Sequence, residues 1–184
     1  MPEPASTRDR LITTAARLFR QRGYHATGIA EVLAEAGVPK GSLYHHFPNG
    51  KEDLAIAAAD WTTRMLEGII DDAFTPASDL RHGATTFCHK LAKLFDLTDS
   101  AASCPIQALI FDGPDGADYR ARAAAFFDRL IAAIARHATR LGLPDAQARH
   151  EAETLLIAIE GGWTLARARR SSDILRSLPA RLYA

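Results

Sequence analysis

The chain reads as an all-α protein, with a small N-terminal helix-turn-helix domain followed by a larger helical domain. Apolar residues recur with a helical period over almost the whole length, and nowhere does a strict two-residue alternation persist. Alanine, the strongest helix former, is abundant in the candidate helices. Glycine and proline fall where one periodic stretch gives way to the next.

Ser6 is placed to cap the first helix while Asp9 reaches back as the other half of a capping box. Leu11, Ile12, Ala15, Leu18 and Phe19 follow on one stripe, and Gly23 closes the helix with a residue tolerant of left-handed geometry. Thr27 is the expected cap of a short second helix with Ile29, Val32, Leu33 and Ala36 on its inner side. Gly37 ends that helix. Pro39 stands where a missing amide does no harm, at the start of a third helix through Leu43, Tyr44, His45, His46 and Phe47 that stops before Pro48. Asn49 with Glu52 makes a second capping box and opens a long fourth helix through Leu54, Ala58, Trp61, Met65 and Ile69.

After Thr75 and Pro76, a fifth helix over 79–97 carries Leu80, Ala84, Phe87, Leu91 and Leu94 at helical spacing. A shorter apolar segment at 105–111 ends in the breaker run Asp112-Gly113-Pro114-Asp115-Gly116. A helix from Ala117 to near Leu141 places Phe126, Leu130, Ile134 and Ala138 on one face. Gly142-Leu143-Pro144 interrupts the pattern, the last long helix runs from near Ala146 to Arg170, and Ser172 to Leu182 forms a short final one. Some nine helices result. No internal repeat or low-complexity linker appears, and the expected division is a helix-turn-helix domain over 1–50 and a larger helical domain over 51–184.

At 184 residues and 20.0 kDa the chain is long enough to bury a core without disulfides or metals. Hydrophobic residues make up 47% and charged residues 24%, a globular rather than a disordered balance. Basic and acidic residues number 22 each, which argues against an undirected polyanion binder. It leaves room for a DNA reader, whose contact needs only a local basic patch. Cys88 and Cys104 lie in or beside apolar stretches without CxxC spacing, so a reducing cytoplasm is the expected setting. The first six residues do not have the basic-then-apolar order of a signal peptide, and no apolar run reaches the roughly 18 residues of a membrane span.

Two short helices joined by Gly37 give the geometry of a helix-turn-helix, whose second helix enters the major groove. Its tip reads Pro39-Lys40-Gly41-Ser42, and Tyr44, His45 and His46 follow. A lysine reaches a guanine edge, while hydroxyls and backbone amides position phosphates. A glycine turn between short helices is common in helical proteins; the residues around this one make it specific.

Those residues are Ala15-Ala16-Arg17-Leu18-Phe19, Gly23-Tyr24, Thr27-Gly28-Ile29, Ala34-Glu35-Ala36-Gly37-Val38, Lys40-Gly41-Ser42-Leu43-Tyr44-His45-His46-Phe47 and Lys51-Glu52-Asp53-Leu54. Together they resemble the tetracycline-repressor (TetR) family over roughly the first third of the chain. The resemblance implies a homodimeric repressor on a near-palindromic double-stranded DNA operator, released by a small-molecule effector in the C-terminal domain. It also implies recognition-helix contacts at Lys40, Gly41, Ser42, Tyr44 and His45, and phosphate contacts at Thr27 and Lys51. Pro39 departs from the family, which often has Ser or Thr there. The segment Ser103-Cys104-Pro105-Ile106 resembles the multidrug- and flavonoid-responsive branch, which implies an apolar or aromatic effector.

Trp61, Phe87, Phe111 and Trp163 are the candidate effector contacts, chosen from more aromatic surface than a minimal bundle requires. Metal binding by His45 and His46 is disfavoured because adjacent helical residues point about 100° apart, and no cofactor is expected. Cys88 and His89, also adjacent, lack the geometry of a nucleophile and base, and no third member completes them. An enzyme is therefore not expected; a DNA-binding regulator with no small-molecule input is the nearer alternative. Gly161-Gly162 sits inside the last long helix at a cost of about 1 kcal/mol per glycine relative to alanine, so a partner subunit, a ligand or an internal contact is expected close to the backbone. The basic run Arg167-Ala168-Arg169-Arg170 reads as a solvated helix end.

Overall fold

A computed structural model of the protein describes residues 6–98 and 117–183. The apolar segment at 105–111, the breaker run, Cys104 and Phe111 lie outside the described residues. Among those described there are eight helices and no strand: α1 (Thr7–Arg22), α2 (Ile29–Ala36), α3 (Lys40–His46), α4 (Lys51–Phe74), α5 (Leu80–Leu97), α6 (Ala117–Arg140), α7 (Asp145–Arg169) and α8 (Asp173–Leu182). Contacts group the described residues into two compact units, 6–62 with 117–123 and 63–98 with 124–183. The division falls inside α4 rather than ahead of it, where the expected boundary at residue 50 would have placed it.

In the first unit α1 packs on both α2 and α3. Its stripe Leu11, Ile12, Ala15, Leu18 and Phe19 meets a core completed by Val32, Leu33, Ala36, Val38, Leu43, Phe47 and Leu54. Helices of eight and seven residues do not persist alone in water. Burial holds them, at about 1.5–3 kcal/mol for each large apolar side chain.

The turn between α2 and α3 is built as expected around Gly37, which is left-handed at φ 63° and ψ 41°. The Arg10 guanidinium on α1 donates to the carbonyls of Ala36 and, at 3.0 Å, Gly37, so α1 supplies hydrogen bonds that the end of α2 lacks. Ser6 caps α1, accepting from the Asp9 amide at 3.1 Å and donating to its carboxylate at 2.7 Å.

Three local expectations are corrected. Thr27 does not cap α2; Gly28 takes that position with no side-chain hydrogen bond. The Thr27 hydroxyl turns inward and donates to Gly23 O at 2.8 Å, closing the loop after α1. Pro39 precedes α3 as its N-cap instead of being its first helical residue. At α4 the helix starts at Lys51, which places Asp53 rather than Glu52 opposite Asn49: the Asn49 amide donates to Asp53 Oδ2 at 2.9 Å, and its side chain to Oδ1 at 3.1 Å.

In the second unit α8 packs on α5 and α7. Trp163 of α7 is buried edge-on against Phe95 of α5, with ring centroids 5.5 Å apart. A Cβ on Gly162 would stand 3.0 Å from Leu178 and 3.3 Å from Leu175. Of the three explanations for the glycine pair, internal packing therefore accounts for Gly162, whereas Gly161 faces open space. The C-terminal half of α4 is pinned to α6 by polar contacts. Arg129 forks onto Glu67 at 2.7 and 3.1 Å, His137 meets Asp71 at 2.8 Å, and Arg140 donates to Phe74 O at 2.6 Å.

Candidate nucleic-acid interface

Helix α3 turns Leu43 and Phe47 into the core, which leaves the residues one turn apart on its other side pointing out. Lys40, Gly41, Tyr44 and His45 are exposed; Ser42 and His46 are half-buried. Tyr44 is 51% exposed and does not plug the core. Its ring flanks Gly50, where a Cβ would come within 3.3 Å. A Cβ on Gly41 would meet nothing of the chain within 4 Å.

Lys51 opens α4, and its ammonium sits 4.2 Å above the centroid of the Tyr24 ring. Burial pulls its pKa below the ordinary lysine value. Burial, and then the charge of Glu52, push the Tyr24 phenol above its own. The loop that presents Tyr24 is closed by Thr27, whose amide donates to Tyr24 O at 3.3 Å.

The unit distributes its charges unevenly. Arg17 pairs with Glu35 at 2.6 Å and Arg22 with Glu31. Lys40 and Lys51 have no acid partner among the described residues.

Thr27 lacks what a phosphate-contacting side chain needs: it is fully buried, and its hydroxyl is committed to Gly23 O. Position alone suggested the phosphate role, and in this structure the hydroxyl is turned away from the surface. The uncapped start of α2 leaves first-turn amides without a side-chain acceptor. Tyr24, in the loop after α1, was not singled out in the sequence, where nothing pairs it with the lysine that opens α4.

Of the expected effector contacts, Trp61 is half-buried on α4, and Phe87 is buried with its ring 6.4 Å from that of Phe74. Trp163 is the core ring already described, and Phe111 lies outside the described residues. The second unit also shows an open groove of about 310 Å³ lined by Phe127, Ile131, Glu153, Leu156, Ile157 and Glu160. None of these had been singled out as a site residue. Cys88 is fully buried, with its pKa pushed up to about 12 by desolvation, the opposite of a reactive thiol.

Residues 11–58 match the model of bacterial regulatory proteins of the tetR family, and residues 82–180 match the C-terminal domain of LmrA/YxaF-like transcriptional regulators. The chain is 35% identical over 169 residues to an HTH-type transcriptional regulator of Mycobacterium tuberculosis, covering 89% of this chain and 85% of that protein. The chain belongs to the TetR family.

TetR-family membership makes it a transcriptional regulator with a DNA-binding helix-turn-helix at its N-terminal end. The HTH-type regulator YxaF of Bacillus subtilis is 42% identical over 109 residues, an alignment spanning 59% of this chain and 57% of YxaF. In fold, a TetR regulator from Legionella pneumophila superposes with a TM-score of 0.81 at 21% identity, over 98% of this chain and 97% of that one.

Proposed function

We propose that the protein is a homodimeric repressor that binds a near-palindromic double-stranded DNA operator and releases it when a small apolar or aromatic effector occupies the C-terminal unit. The DNA half rests on the two lysines of the first unit that no described acid neutralises, Lys40 on α3 and Lys51 at the start of α4. Lys40, Ser42, Tyr44 and His45 read base edges and phosphates, Gly41 lets the DNA backbone come close, and Lys51 takes a phosphate. The amides opening α2 take over the phosphate role first given to Thr27.

Two copies would set their α3 helices in successive major grooves, about 34–36 Å apart. Support for pairing comes from the outer face of α7. Ile157 is 67% and Leu165 44% exposed, one turn either side of Gly161, and Ile157 also borders the apolar groove. Within that unit Phe87 and Trp163 are the expected effector contacts. Helix α4 is continuous from Lys51 to Phe74, so a shift of its C-terminal half carries to the lysine that opens it. A preference of about 1–3 kcal/mol for the state that cannot grip DNA weakens operator binding roughly 5- to 150-fold.

The test is fluorescence anisotropy with labelled DNA from immediately upstream of the gene, against a scrambled duplex at fixed salt. Tight binding to the native fragment alone is expected, with Lys40→Ala and Lys51→Ala each weakening it. Equal weak binding to both duplexes, followed by failure to select any operator from random DNA, refutes the DNA reading. Operator affinity unchanged by every apolar compound screened leaves a regulator without small-molecule input.

A further inference from the structure

Lys51 is a cation in an unfavourable place. It occupies the first position of α4, where the partial positive charge of the helix terminus opposes it, and burial disfavours its charged form further. An acid partner would be the usual remedy, and the described residues provide none. The Tyr24 ring lies under it instead, with the ammonium 4.2 Å from the centroid, well within the roughly 6 Å range of a cation–π contact.

That ring is itself held firmly. Its centroid is 5.5 Å from that of the fully buried Phe19 and 5.2 Å from that of His25, which meets it edge-on. Thr27 ties down the backbone on both sides, donating its amide to Tyr24 O and its hydroxyl to Gly23 O. The contrast with Arg17 and Arg22 is chemical. A carboxylate would hold the lysine but would cancel its charge and repel a phosphate, whereas an aromatic face holds the cation and leaves the charge intact. The ammonium hydrogens directed away from the ring remain available as donors.

We propose that Tyr24 is a positioning residue for DNA binding, its ring holding the Lys51 ammonium in place so that a phosphate meets a cation already ordered. The side-chain entropy that a lysine on a flexible stem loses on binding is then largely lost before DNA arrives. The proposal rests on the reading of Lys51 as a phosphate contact.

Operator binding measured across a salt series with Lys51→Ala, Tyr24→Leu, Tyr24→Phe and the Tyr24→Leu/Lys51→Ala double variant tests it. Lys51→Ala should lower the slope of log affinity against log salt by about 0.9. Tyr24→Leu should weaken binding about two- to five-fold when Lys51 is present and not at all in the Lys51→Ala background. Tyr24→Phe keeps the aromatic face and should stay within about two-fold of the parent. Equal losses from Tyr24→Leu with and without Lys51, or a Tyr24→Phe loss as large as that of Tyr24→Leu, overturn the positioning role while leaving Lys51 as a phosphate contact. Unchanged affinity and slope in Lys51→Ala overturn both. Should Tyr24→Leu fail to fold, NMR of the parent protein decides: Lys51 ε-methylene protons shifted upfield by the ring current, relative to those of Lys40, support the proposal, and unshifted ones overturn it.

Discussion

Replacing Gly83 with alanine puts the close approach of α5 to Phe74 to a direct test. A Cβ at position 83 would lie 2.2 Å from Phe74 Cδ1 and 2.5 Å from Cε1, more than about 1 Å inside the normal carbon–carbon separation of roughly 3.5–4.0 Å. The ring has nowhere easy to go. Phe74 is fully buried, stacks on His137 with centroids 5.7 Å apart, and has Phe87 at 6.4 Å. Overpacking a core costs about 1–3 kcal/mol, and a contact this short on a boxed-in ring belongs at about 2–3 kcal/mol, against a gain of about 1 kcal/mol from alanine's higher helix propensity. The net is a loss of about 1–2 kcal/mol, or roughly 2–8 °C in Tm for a chain of this size. Gly68→Ala is the control, because position 68 lies on the exposed side of α4 with nothing within 4 Å; there the propensity gain stands alone and Tm should rise. The assay is a circular-dichroism melt at fixed protomer concentration, since dimerisation couples to stability. A Gly83→Ala protein melting at or above the parent would refute the packing argument.

Other outcomes follow from the same contacts. Thr27→Val keeps the shape but leaves Gly23 O without its hydroxyl donor, and should cost about 1–3 kcal/mol in urea denaturation. Operator affinity at fixed salt should stay within about two-fold of the parent; a larger loss in a folded protein would return the Thr27 hydroxyl to a phosphate role. Cys88 makes stability fall in alkali. Its pKa rises from 9.0 to about 12 on folding, so its contribution is complete below pH 9 and is lost as pH climbs toward about 12, where the unfolded chain sheds a proton that the folded chain keeps. Cys88→Ala should flatten the start of that decline in melts taken across alkaline pH, and an identical profile would contradict the burial. Ile157→Glu places a charge on the exposed face of α7. Sedimentation should find the variant monomeric with operator affinity sharply reduced, and an intact dimer would move the pairing face elsewhere.

The elements most legible in the sequence were those governed by local rules. The ends of α6, α7 and α8 fall within a residue or two of the expected ones, and Gly37 ends α2 as expected, in a left-handed turn. Where a choice between neighbours mattered, local reasoning slipped by a residue: Gly28 instead of Thr27 before α2, and Asp53 instead of Glu52 opposite Asn49. In both cases the side chain bonds a residue four positions away, Thr27 with Gly23 O and Asp53 with Asn49, so which neighbour serves depends on the exact residue at which the helix starts.

By itself, the sequence determined the helical class, the helix-turn-helix and the outward side of α3, because a 3.6-residue period and turn chemistry are properties of short stretches of chain. Only the tertiary structure decided that Thr27 faces in, that Tyr24 lies under Lys51, that Gly83 exists to admit Phe74, and that Gly162 serves packing while Gly161 stays open. Thr27 is turned in by burial, and each of the others pairs a residue with one outside its own helix or sets it apart from an adjacent twin. The contact energy that selects them exists only once the helices have packed.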